Sequence, residues 1–205
     1  MNKRLIHYFS GVFITLFVGL HLFNHVWSIL GAEKHIEMMT LLRVIYRNIF
    51  IETLLLLAVL VQIISGLVLF RESRKTAFYF FDKLHIYSGL YLAIFLMIHV
   101  SAILGGRLIL HLDTNFYFGV AGLNTFPFNL FFIPYYGLAI FSFFGHIAAI
   151  HYKKMQKNIL GISPKQQSNI ILIVSCFVIF LAFYGLTNGF KGVVIPKEYK
   201  VLVGS

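Results

Sequence analysis

Charge is scarce in this chain. Only 12% of its 205 residues are Asp, Glu, Lys or Arg, against 59% hydrophobic and 17% aromatic, and the mean hydropathy is +0.85. A soluble globular domain carries about twice that charge, so that class is excluded. A single cysteine, Cys176, rules out an intramolecular disulfide. No H-E-x-x-H, no G-x-S-x-G and no glycine-rich phosphate loop occurs, which leaves hydrolase chemistry without support. A proton or ion relay through the bilayer needs ionised residues inside a span. Apart from Glu52, near the edge of an apolar run, no such residue is available.

What is present is apolar length. Residues 5–32, 53–70, 84–106, 114–152 and 168–190 hold no charged side chain. A spanning helix needs ~20 apolar residues. The chain therefore predicts an all-α integral membrane bundle of five transmembrane helices, at about 5–30, 49–70, 84–104, 129–152 and 168–190, as a single transmembrane domain over 1–205. The first run is too long for a signal-peptide core and no A-x-A-like site follows it, so it counts as a span. Pro134 falls near the start of span four, where a first helical turn tolerates it. The polar stretch "GAEKHIEMMTLLRVIYRN" after span one predicts a short interfacial helix. The long connection 105–128 is rich in aromatics and glycine, as an interfacial belt is.

The net charge of +10 is sorted by side. With the N-terminus inside, the inner segments hold ten basic and two acidic residues, the outer ones seven and five. That asymmetry, +8 against +2, predicts N-in, C-out and speaks for topology rather than a nucleic-acid partner. The inner cluster of Arg71, Arg74, Lys75, Lys83, Lys153, Lys154 and Lys157 suits anionic lipid of the bilayer or an acidic soluble subunit.

Two spans repeat one another. "LIHYFSGVFITLFVGLH" (5–21) and "KLHIYSGLYLAIFLMIH" (83–99) align at an offset of 78 on the pattern H-x2-S-G-x5-F-x3-H. His7 meets His85, Ser10 meets Ser88, Gly11 meets Gly89 and His21 meets His99. Span two echoes the motif as "QIISG", with Gln62 in the place of the first histidine. Fourteen residues of α-helix advance about 1400°, ~40° short of four turns, and rise ~21 Å. Each histidine pair thus projects from one helix face at two depths. Spans one and three run parallel, so His21 can face His99 across a gap between helices, the kind of place where bundles hold cofactors. Histidines on apolar helices also serve as hydrogen-bonded interior residues, and that reading stands beside the ligand one. Ser10 and Ser88 either bond back to the preceding turn or, with His25 and Gln62, meet a propionate or a quinone. Gly11, Gly66 and Gly89 let a neighbouring backbone or a flat macrocycle approach. Glu33, His35, Glu37, His111 and Asp113, on the outer segments, are solvated residues or an outer divalent-metal site.

These residues resemble a family: the cytochrome b membrane subunits of succinate dehydrogenase and fumarate reductase, of the five-helix single-chain type. "FVGLHLFNH" (17–25) is similar to the H-L-x-x-N-H-like signature of the family's first span, with one residue fewer. "YSGLYLAIFLMIH" (87–99) and "FFGHIAAIH" (143–151) resemble its third- and fourth-span elements. The resemblance implies haem b between His21 and His99. It also implies a second haem between the second and fourth spans, but there Gln62 replaces one histidine and His146 lacks its partner. His85 or His7, at similar depth, stands in, or that site is empty. The implied function is electron transport between a cytoplasmic partner and membrane quinone, as an oxidoreductase subunit that is not catalytic alone. Flavoprotein and iron–sulfur subunits would sit at the cytoplasmic face, and the location would be the bacterial inner (plasma) membrane. A haem-free membrane scaffold or assembly protein on the same bundle is the alternative.

Overall fold

The structure, a computed structural model, describes residues 2–204. The chain forms α1 (Lys3–Trp27), α2 (Ala32–Tyr46), α3 (Ile49–Ser73) and α4 (Phe80–Leu108), then α5 (Phe116–Val120), α6 (Asn129–Lys154) and α7 (Pro164–Leu186). Among the described residues there is no strand. Five helices, α1, α3, α4, α6 and α7, are long and apolar enough to cross a membrane, which makes this an integral membrane protein. In lipid each backbone group must find its partner within the segment, so an apolar run of this length has the helix as its solution.

Caps, rather than hydropathy, set where the helices stop. Asn2 and Asn48 accept the Arg4 and Phe50 backbone N–H groups at 3.1 Å, opening α1 and α3. A Ser163/Gln166 capping box with Pro164 in the first turn starts α7 ahead of its apolar run. That run then leaves the helix early: Asn188, Gly189 and Phe190 adopt positive φ, and 187–190 turn instead of extending the span. Pro134 is not in a first turn. α6 begins at Asn129 and runs through it, so the Leu130 carbonyl has no N–H four residues on to accept.

The five long helices close into a ring in the order α1, α3, α4, α6, α7 and back to α1. α1 and α4, the two repeat-bearing helices, therefore stand across the ring from each other. Large side chains such as Leu16, Phe50 and Phe177 face outward, while the buried positions are small: Ala139, Ser142, Gly145, Ala148 and Ala149 on α6, Ser168, Ser175, Ala182 and Gly185 on α7. Lipid tails are as apolar as leucine, so helices gain from close backbone approach rather than from burying bulk.

One end of the ring is capped. α2 lies there as the short helix expected after span one, against α1, α3 and α5. The connection after α4 folds inward and buries Phe116, Val120, Ala121 and Leu123. The tail is tied down on it: Asn124 donates to the Leu186 carbonyl at 3.0 Å and accepts from Val193 N–H at 3.1 Å, and the Tyr199 hydroxyl donates to the Asp113 carbonyl at 3.0 Å. The opposite end carries the basic residues Arg71, Arg74, Lys75, Lys153 and Lys154.

Candidate functional site

The ring encloses a cavity of about 950 Å³, lined mainly by α1, α3, α4 and α6 and reaching α2. Cofactor pockets run from about 300 to 1,000 Å³, so this one has room for a large guest. His7, His21, His25, His85, His99 and His146 all line it, as do Gly11, Gly66, Gly89 and Gln62.

Toward the capped end lies a cluster of imidazoles. His21 on α1 and His99 on α4 face each other with ring centres 6.2 Å apart and planes at 64°. Each is backed by the phenylalanine four residues earlier, Phe17 at 5.8 Å and Phe95 at 5.0 Å, both stacked. The repeat spacing F-x3-H thus places an aromatic plate behind each histidine. His25, one turn beyond His21, has its Nε2 3.0 Å from the His21 Nε2, one ring donating to the other.

A fourth imidazole joins them, and it is buried rather than solvated as the outer segment's polarity suggests. His35 is only 3% exposed, its ring 5.5 Å from His25 and its Nε2 3.2 Å from the Asn24 amide nitrogen. Burial, helped by His21 and Arg43 nearby, holds its pKa at about 4, below the usual 6.5. The signal was in the spacing: His35, Met39, Leu42 and Tyr46 recur every three to four residues along α2, and all four line the cavity. Glu37 instead pairs with Lys34 in solvent. Among the described residues no three His, Cys, Asp or Glu side chains are gathered as a bare metal ion needs.

Toward the open end, the Ser-Gly steps prove to be helix seams. On α4, His146 of α6 donates Nδ1–H to the His85 carbonyl at 3.0 Å, touches the Ser88 hydroxyl at 3.4 Å, and lies where a Cβ on Gly89 would come within 3.1 Å. On α1, Gln62 of α3 donates its amide to the His7 carbonyl and to the Ser10 hydroxyl at 2.8 Å, and lies 3.0 Å from where a Gly11 Cβ would be. Gln62 does on α1 what His146 does on α4. The α1–α3 pair and the α4–α6 pair are built alike, and the glycines are there for side-chain approach.

The remaining inner histidines are engaged too. His7 meets the Ser65 hydroxyl at 2.8 Å. Because Ser65 gives its proton to the Val61 carbonyl, His7 Nδ1 is the donor. The His85 and His146 rings are in direct contact, with centres 4.5 Å apart. Lys153, paired with Asp82 at 2.9 Å, reaches His85 Nδ1 at 3.5 Å.

No protein-family model, no curated protein and no solved structure matches this chain.

Proposed function

We propose that the chain is a b-type cytochrome membrane subunit, holding one haem between His21 and His99. Two imidazoles that were to share one metal ion through nitrogen, at the ~2.0 Å typical of metal–imidazole bonds, would have ring centres about 6 Å apart. The His21–His99 separation of 6.2 Å is the observation that carries this reading. The cavity volume supports it. Ligation would exchange the His21–His25 bond for one to iron, leaving His25 to accept or donate elsewhere. At the other end the His85 and His146 rings lie 4.5 Å apart, short of that spacing, while His7 bonds Ser65 and Gln62 bonds α1, which supports a single site. The reading is therefore of one haem, not two.

A haem held there supplies a one-electron redox centre. The chain's own contribution is two neutral imidazoles at fixed spacing, aromatic plates that hold their rings, and an apolar wall that keeps water away. The orientation that goes with this reading is N-in, C-out in a bacterial inner membrane. The lysine-rich end would then face the cytoplasm and dock flavoprotein and iron–sulfur subunits, with quinone as the membrane partner.

The test is a reduced-minus-oxidised spectrum of the purified protein. A sharp α band from about one haem per chain is expected; His99→Ala should abolish or strongly shift it, and His111→Ala, at an exposed loop, should not. A haem-free scaffold is the second reading, favoured by Gln62 and by the satisfied His21–His25 bond. A flat spectrum from protein made with ample haem would establish it and end the first.

A further inference from the structure

At the capped end the cavity wall carries three guanidinium groups, and only two carboxylates pair with them. Arg107, in the last turn of α4, is paired with Glu52. Arg43 and Arg47, on α2 and at its end, share Asp113 at 2.9 and 3.8 Å, and Arg47 also donates to the Thr114 hydroxyl at 2.9 Å. One carboxylate serving two guanidiniums leaves about one positive charge uncompensated. The Arg47 pKa reflects this: burial lowers it, and neighbouring Arg43 and Arg107 lower it further.

A second, independent observation comes from the same end of the cavity. Three buried polar atoms have no hydrogen-bond partner: Asn24 Oδ1, His25 Nδ1 and His35 Nδ1. Asn24 and His35 are 4% and 3% exposed, and both line the cavity. With the Asn24 amide nitrogen donating to His35 Nε2, the His35 proton sits on Nδ1, a buried N–H with nothing to donate to. Two imidazole nitrogens and an amide oxygen left unpaired in one buried cluster mark a place open to a polar partner, with the His35 N–H the donor in need of an acceptor. Of the residues expected from sequence to meet a propionate, three are engaged elsewhere, Ser10 and Gln62 with each other and Ser88 with the His146–His85 seam, and His25 keeps a free Nδ1 here.

We propose that this polar end of the cavity seats the carboxylates of the planar guest, with Arg43 and Arg47 receiving them and His35 and His25 closing the polar ring behind. The inference rests on the haem reading above and names what binds the other end of the molecule. Arg is suited to it: its planar fork matches a carboxylate with two parallel N–H donors and keeps its charge when half-buried.

The probe pair is haem b and its dimethyl ester, which share iron and macrocycle but differ in carboxylates. Both are titrated into haem-free wild-type chain in phosphatidylcholine nanodiscs. The ester is expected to bind at least about tenfold more weakly while giving the same α band, since the axial imidazoles are unchanged. In Arg43→Gln/Arg47→Gln the two probes should bind alike, at the ester's level. Equal wild-type affinity for both probes overturns the proposal without touching the haem reading, and this arm needs no variant to fold. A double variant that still discriminates also overturns it. Discrimination that disappears when phosphatidylglycerol is added assigns the arginines to lipid headgroups and overturns it as well. If neither probe gives a low-spin spectrum, the haem reading fails and takes this inference with it.

Discussion

Gly185→Ala tests how the ring closes. Gly185, near the end of α7, lies against the turn that follows α1. A Cβ there would overlap the Ser28 hydroxyl and stand 2.6 Å from the Ile29 backbone nitrogen and 2.7 Å from the Ser28 carbonyl carbon. Ordinary contact begins at 3.4 Å, and the obstacle is backbone, so the α1–α7 seam must open by the difference. Overpacking of this kind costs about 1–3 kcal/mol. Alanine returns up to about 1 kcal/mol of helix propensity, less at a penultimate position, so the net loss is about 1–2 kcal/mol. For a chain of this size that is about 2–8 °C in Tm. The control is Gly137→Ala on α6, whose Cβ would meet only the Phe183 ring edge at 3.5 Å; it keeps the helix gain and should leave Tm level or slightly raised. Thermal melts of both purified variants in one detergent decide the matter. Equal shifts for the two, or a Gly185→Ala protein as stable as wild type, would refute the claim that backbone contact at Gly185 holds the ring shut.

Acid should loosen the capped end. The His35 pKa of about 4 lies below its unfolded 6.5, so the unfolded chain binds the proton first. The stability His35 contributes is complete above pH 6.5 and is lost as pH falls toward 4, by at most about 3 kcal/mol. Tm measured at pH 7.5 and 5 should fall further in wild type than in His35→Asn; identical slopes would rule this out. Glu52→Gln leaves the half-buried Arg107 without its counter-charge and should lower stability by about 1–3 kcal/mol, visible as a lower Tm that added salt does not restore. Gln62→Leu strips the α1–α3 seam of two hydrogen bonds and should cost about 1–2 kcal/mol. Gln62→His, which can donate Nδ1–H to the His7 carbonyl as His146 does to that of His85, should cost less. If leucine is tolerated better than histidine in the same melts, the two seams are not equivalent.

Much of the architecture was legible one residue at a time. Charge-free runs of spanning length become helices wherever they occur, because hydrocarbon offers the backbone no partner outside its own segment. The fourteen-residue histidine spacing put His7 with His21 and His85 with His99 on single faces, and the i−4 phenylalanines behind His21 and His99 follow from the same helical geometry. The meaning of the Ser-Gly step was open in the sequence, since one pattern serves a seam or a cofactor wall. Only the arrangement of α3 beside α1 and α6 beside α4 shows the seam.

Other features depend on which helices become neighbours, and periodicity carries no such information. Closing the ring through α7 puts α1 opposite α4, which brings His21 to His99. Folding α2 back over the end turns His35 from a solvent-facing residue of an interfacial helix into a buried member of the cluster, and carries Arg43 and Arg47 to the cavity wall. Packing of α6 on α4 brings the His85 and His146 rings to 4.5 Å from each other. Local sequence specifies each helix through bonds it makes with itself. The contents of the space between helices follow from packing among small residues far apart in the chain, and that packing exists only once all five helices have met.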